Sequence, residues 1–356
     1  MEHITVYREE GRFAGWPANY GIWSWGDEIV FGFTLGYLKA SGGFHARDKD
    51  RPFVTMQARS LNGGQSWQVH EMPCRTPGGR GLSADEHVRP DLRIGQVLPV
   101  HRPVDSPGGI NFTRPDFALL CARSGLSAGA RSWFYISYDR CRTWRGPFSL
   151  PMFGQKGIAA RTDYLVSDAH TCTLFLTVTK PDGEEGRVFC TRTTDGGRTF
   201  DFVSWITPEP GGFAIMPASV RLSESRILAA IRCRDRGRNW IDLYASDDNG
   251  ATWDYASTPI ANTGRGGNPP AMIKLHDGRL CLVYGYRDAP YGMRARLSSD
   301  EGASWSEEIV LCDGGGNHDL GYPRAVQRED GRVVTVYYWN DYPDGERYIA
   351  ATLWRP

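Results

Sequence analysis

Net charge of either sign is missing from this sequence: 41 basic and 41 acidic side chains cancel over 356 residues. That removes the electrostatic footprint of a nucleic-acid binder. No apolar run approaches the ~18–20 residues that a membrane span requires, so neither nucleic acid nor membrane is an expected partner. The opening residues, MEHITVYREEGRF, contain neither the basic nor the apolar region of a secretory signal, and cytoplasm is the expected compartment. None of the eight cysteines stands in a C-x-x-C pair, which argues against a zinc ribbon or a dithiol motif. Several lie inside apolar runs, such as Cys172 in TCTLFLTV and Cys281 in RLCLVYGY, and read as buried reduced thiols. The sequence also lacks a G-x-S-x-G elbow, an H-E-x-x-H helix and a twelve-residue calcium loop with its closing Glu. No metal and no cofactor is expected.

Long helical periodicity is absent as well. What is present instead is a succession of short apolar or alternating runs: EIVFGFTLGYL, CTLFLTVT, RILAAIR, LCLVYGY and VVTVYYW. Each is bounded by Gly, Asp, Asn or Pro, the pattern of strands joined by tight turns. The chain is expected to be all-β.

Two repeats run in phase. Five segments share one template: SLNGGQSW from Ser60, SYDRCRTW from Ser137, TTDGGRTF from Thr193, SDDNGATW from Ser246 and SSDEGASW from Ser298. The Asp of the template can accept backbone N–H groups inside a turn, the Gly supplies a positive φ, and the aromatic residue plugs the turn from below. Asn62 and Cys141 depart from the template at its Asp and Gly positions. A second motif places a proline eight residues before a turn residue, as in Pro217 with Ser225, Pro270 with Gly278 and Pro323 with Gly331. WPANYG, RPDFALL and RTDYLV fill the same slot more loosely, making six strand entries for five turns. Six modules of this kind predict a six-bladed β-propeller of four-stranded antiparallel blades. The last module lacks its turn, and the N-terminal strand HITVYRE is expected to complete it and remove an exposed edge. One propeller over residues 1–356 is expected, with an inserted loop at about 74–111 that fits no repeat.

The S-x-D-x-G-x-T-W segments resemble the Asp-box, or BNR, repeats of the sialidase superfamily over nearly the whole chain. In that family the boxes lie on the outer parts of the blades, away from substrate, and the strand-entry residues line one mouth of the channel. The resemblance implies three arginines on a substrate carboxylate, a Tyr nucleophile assisted by a Glu, and an Asp acid/base. Tyr322 in LGYPRAV matches the nucleophile, Asp50 before FVTMQARS has the position of the acid, and Arg238 and Arg287 lie in the blades supplying two arginines. Two positions depart from the family. Gly15 stands where the first arginine belongs, and no acid occurs between Met216 and Ser219, where the Glu belongs.

The same slots offer other polar groups. Arg114, Arg161 and Arg324 can converge on a mouth from three blades, with Trp16, Asn19 and Tyr20 of WPANY beside them for a pyranose face. His318 in GGNHDLGYP, four residues before Tyr322, is a candidate base, and His45 in GGFHARDKD is a second. The expected function is an exo-acting glycoside hydrolase on an acidic, sialate- or uronate-containing glycan, using Tyr322 and Asp50. The alternatives are a polysaccharide lyase cleaving next to a glucuronate, using His318, Tyr322 and Arg324, and a non-catalytic glycan-binding propeller.

Overall fold

The computed structural model describes residues 1–40, 43–74 and 102–356. Residues 75–101, most of the expected insertion, lie outside the described residues. The strand β1 (Glu2–Tyr7) is followed by a first blade of β2 (Arg12–Gly15), β3 (Ile22–Trp25), β4 (Glu28–Tyr37), β5 (Val54–Ser60) and β6 (Gln68–Glu71). The second blade has three strands among the described residues: β7 (Ala118–Arg123), β8 (Ser132–Ser137) and β9 (Arg145–Ser149). The third holds β10 (Ile158–Ala159), β11 (Tyr164–Val166), β12 (Cys172–Thr179), β13 (Glu185–Thr193) and β14 (Asp201–Trp205).

The fourth and fifth are regular four-stranded meanders: β15 (Phe213–Arg221) to β18 (Asp254–Ile260) through β16 (Ile227–Asp235) and β17 (Arg238–Ser246), then β19 (Ala271–Lys274), β20 (Leu280–Tyr286), β21 (Gly292–Ser298) and β22 (Ile309–Asp313). The sixth comprises β23 (Gly321–Gln327), β24 (Val333–Trp339) and β25 (Tyr348–Trp354), and β1 pairs antiparallel with β25 from Glu2–Leu353 to Tyr7–Ile349. The ring is thus closed by the N-terminal strand, as the missing sixth turn implied. Removing Glu2–Tyr7 strips Val6, with half-buried Ile4, from the seam and exposes the edge of β25. A loss on the order of 3 kcal/mol and self-association are expected. Thermal unfolding and light scattering test this, and an unchanged midpoint would mean that β25 needs no partner.

The core is a ring of six apolar clusters, one at each interface between neighbouring blades. The boxes staple the outer strand pairs. In the fourth blade Asp248 accepts the Thr252 N–H at 2.8 Å and the Thr252 hydroxyl at 2.6 Å, while Gly250 donates its N–H to Ser246 Oγ at 2.7 Å. These bonds hold Asp248 down near pKa 2, an acid already spent on its own turn. The two departures keep the geometry: Asn62 Oδ1 accepts the Ser66 N–H at 2.9 Å, and Cys141 takes the glycine's left-handed φ of 63°.

At the channel end of the blades, three residues directly before the strand-entry prolines adopt a left-handed φ: Trp16 at 58°, Met216 at 53° and Tyr322 at 51°. Proline disfavours right-handed helical backbone in the residue before it, and a bulge at this point re-aims the side chain. Register breaks between Ile215 and Ala218 and between Gly321 and Arg324 mark those bulges. Such non-glycine strain in three equivalent places is the kind of backbone found at functional sites.

Candidate active site

A cavity of about 240 Å³ opens at this end of the channel, lined by Trp16, Asn19, His45, Arg123, Arg161, Glu185, Arg232 and Tyr322 together with Leu126, Phe213 and Ile215. It has room for one sugar ring. Its floor is sealed by Arg324, which leaves β23 and donates to the carbonyls of Tyr20 at 2.8 Å, Ala18 at 2.9 Å and Thr162 at 2.7 Å. Burial draws its pKa down to about 10, against the pull of Asp163. Arg324 therefore ties three blades together below the cavity and is absent from its lining.

Tyr322 is the centre of the charge arrangement. Its hydroxyl accepts a hydrogen bond from Arg232 Nη1 at 3.1 Å, and the Arg287 guanidinium stands 5.4 Å from its ring centre. Burial alone would raise the phenol, but Arg232, Arg287 and Arg161 outweigh it and bring the phenol below its ordinary value. Arg232 has no carboxylate partner among the described residues: it donates to Tyr322 and to the Gly266 carbonyl at 2.6 Å, and its Nε, though buried, has no acceptor. Arg287, 1% exposed, donates to the carbonyls of Leu320 and Gly267 and to Tyr338 Oη at 2.6 Å, again with no carboxylate. Buried guanidinium groups without counter-charges are costly unless an anion completes them. Arg161 is the exception, held by both oxygens of Glu185 and bonded to Asn19 Oδ1 at 3.2 Å.

Opposite lies a second arrangement. Asp319, 1% exposed, accepts His45 Nδ1–H at 2.6 Å, Tyr338 Oη–H at 2.9 Å, the Ala46 N–H at 2.9 Å and Arg347 Nε–H at 3.0 Å. Burial would raise its pKa, but His45 and Arg347 hold the carboxyl well below the usual range. An ionised Asp319 can only accept, so His45 carries its proton on Nδ1 and leaves a lone pair on Nε2. Burial pushes the imidazole down to about 4 despite the carboxylate beside it. His45 is thus neutral near pH 7, and its ring is fixed edge-on to Trp16, 5.2 Å away.

The structure brings Tyr322, Arg161, Trp16 and Asn19 together around the cavity, with Arg287 directly behind. The other expected residues lie elsewhere. Asp50 is half exposed on the outer loop and pairs with Lys39 at 3.1 Å, since only the earlier part of that loop turns inward. His318 donates to the Phe44 carbonyl at 3.0 Å, outside the lining. Tyr20 is fully buried under β4, bonded to Thr34 at 2.8 Å, because its ring points into the first blade. Arg114 is exposed and stacks on Tyr138, and Arg238 stacks on Trp240 beside a separate groove. Unforeseen by the motif were Arg123, Arg232 and Glu185. A signal for two of them did exist: the apolar runs ALLCAR, LAAIR and VYGYR each close on an arginine, at Arg123, Arg232 and Arg287. Among the described residues no group of three His, Cys, Asp or Glu side chains is placed to hold a metal ion, and no helix is long and apolar enough to cross a membrane.

Residues 117–335 match the model of the BNR repeat-like domain. The chain belongs to that family. The fold of this BNR-repeat protein is similar to that of a protein of unknown function from Dyadobacter fermentans, at 20% identity over 99% of this chain and 97% of that one, TM-score 0.73. It is also similar to the NanB sialidase of Streptococcus pneumoniae (11% identity, 94% and 68% covered, TM-score 0.61) and to an alpha-L-arabinanase of Penicillium chrysogenum (12%, 99% of each, TM-score 0.60). At such identities the likeness is one of fold. No curated protein sequence matches this BNR-repeat chain.

Proposed function

We propose that this protein is a carbohydrate-active enzyme that takes an acidic sugar unit into the channel mouth and hydrolyses its glycosidic bond. The observation that carries the reading is the Tyr322 phenol held by Arg232 beside Arg287, two buried arginines with no carboxylate partner among the described residues. A sialate or uronate carboxylate supplies the missing anion. The glycoside hydrolases among the proteins of similar fold support the same class. Tyr322 gives up its phenolic proton to solvent, favoured by the surrounding cations in place of the Glu that the resemblance implied, and its Oη bonds the anomeric carbon as the bond to the leaving oxygen breaks. Once the substrate's carboxylate has taken its place on Arg161, Glu185 takes a proton from solvent and passes it to the leaving oxygen. His45 Nε2 accepts a proton from the water that frees the glycosyl–tyrosine.

His45 also supports a second reading. The loop between β4 and β5, expected to bring the acid Asp50, delivers a neutral base instead. That base can remove the proton next to a uronate carboxylate while Tyr322 protonates the leaving oxygen, which is elimination. A panel of sialylated, glucuronate-containing and rhamnose-capped oligosaccharides separates the two readings, with products followed by mass and ultraviolet absorbance. Addition of water without absorbance is the expected result. Absorbance of an unsaturated uronate would replace hydrolysis by elimination, and an unchanged panel would leave a glycan-binding propeller.

A further inference from the structure

Beside the mouth, between the fourth and fifth blades, lies an open groove of about 380 Å³ lined by Arg238, Asn239, Asn262, Arg265 and Asp288 with Gly237, Ala261 and Gly264. Nothing in the reaction at Tyr322 uses it. The two cavities share a wall at Gly267: a Cβ there would sit 3.0 Å from Asn239 Oδ1 and 3.3 Å from Arg232 Nε. Both of those atoms are buried and without a hydrogen-bond partner. Asn239 faces the groove and Arg232 faces the mouth.

An aromatic bridge crosses the same wall. Phe44 precedes His45 in the chain, is 37% exposed, and lies so flat on Gly266 that a Cβ there would come within 2.3 Å of the ring. His318 fixes it from behind, through its bond to the Phe44 carbonyl and a ring contact at 4.6 Å. The guanidinium groups of Arg265 and Arg287 stand 5.9 and 5.5 Å from its ring centre, one on the groove side and one on the mouth side. In the groove, Arg238 and Arg265 are exposed and make no ion pair among the described residues. Asp288 is the opposing charge, but its two oxygens are engaged by the Arg265 N–H at 3.0 Å and Asn262 Nδ2 at 3.5 Å. Two cations against one occupied carboxylate leave the groove positive.

We propose that this groove is a second subsite, in which Arg238 and Arg265 bind the anionic group of the next sugar while Phe44 carries the ring or linkage between the two sites. The inference rests on the mouth being an acidic-sugar site, and it makes the preferred ligand a glycan with acidic groups on consecutive units. An exposed aromatic face suits the apolar side of a sugar ring, and exposed arginines with no ion pair suit its carboxylate.

The test uses the Tyr322→Phe protein, so that no turnover disturbs binding, and titrates two ladders by calorimetry. One is glucuronic acid and its β-1,4-linked dimer, and the other is N-acetylneuraminic acid and its dimer. In one ladder the dimer is expected to bind about tenfold tighter than the monomer, a step that shrinks at high salt. Adding Arg238→Ala with Arg265→Ala erases the step and leaves monomer affinity unchanged, and Phe44→Ala reduces it. Arg238 and Arg265 are exposed, so the double replacement should leave the unfolding midpoint in place. Monomer binding with no step, or a step that survives the double replacement, overturns the subsite alone. Silence of both monomers and both dimers overturns the reading of the mouth, and the subsite with it.

Discussion

Tyr322→Phe is expected to cut kcat by about 10³-fold or more while lowering stability by only about 1–2 kcal/mol. The reasoning starts from what the substitution leaves in place. The ring keeps its contacts with Tyr338, at 6.0 Å between centres, and with the apolar patch of Ala18, Ile215 and Met216. Only the hydroxyl that Arg232 contacts is removed, so the oxygen that attacks in hydrolysis, or donates in elimination, is gone. Arg232 then loses a partner it meets at 3.1 Å, and its unmet demand for an anion grows. Acidic-sugar affinity should therefore hold or improve as turnover collapses. Steady-state kinetics beside calorimetry on one preparation checks both halves. Turnover within tenfold of the parent would remove Tyr322 from the chemistry.

The architecture was legible because it is written in repeats. Five boxes and six strand entries set the blade count, and the sixth blade's lack of a box predicted the pairing of β1 with β25 that the register displays. The boxes are local, each bond reaching four residues or fewer within the turn, so local sequence determines them. The residues before the prolines at 17, 217 and 323 share a left-handed φ, and two of them, Trp16 and Tyr322, line the cavity.

The composition of the mouth was harder to read, because its partners are far apart in sequence. His45 meets Asp319 across 274 residues, and Arg232 meets Tyr322 across 90. Nothing local distinguishes Asp50 from His45 in FHARDKD; the choice is made by which part of the loop can reach the buried Asp319. Arg324 illustrates the opposite error. It sits at a strand entry like its neighbours, but the carbonyls of three residues from two other blades take its donors, and it becomes part of the floor.

Asp319→Ala should produce the largest loss of stability, about 3–5 kcal/mol at pH 7 by denaturant unfolding, because it leaves buried Arg347 without its counter-charge. The same replacement removes the acceptor of His45, Tyr338 and the Ala46 N–H together, so the loss extends from the sixth blade into the loop that carries His45. Its pH dependence follows from the direction of each shift. The carboxyl of Asp319 is held below its unfolded value near 3.9, so the stability it provides is complete above that value and fades as pH falls below it. His45 is also held low, at about 4 against 6.5, so between those values the unfolded chain binds the proton first and acidification weakens the parent fold. The gap between parent and variant should accordingly hold level from neutrality to about pH 4 and narrow below it. Arg347→Met placed on Asp319→Ala should restore part of the loss, since it removes the stranded charge, and this pair keeps the argument testable if the single variant does not fold. A gap independent of pH, or a double variant less stable than the single, would show that the Asp319 carboxylate does not organise this side of the mouth.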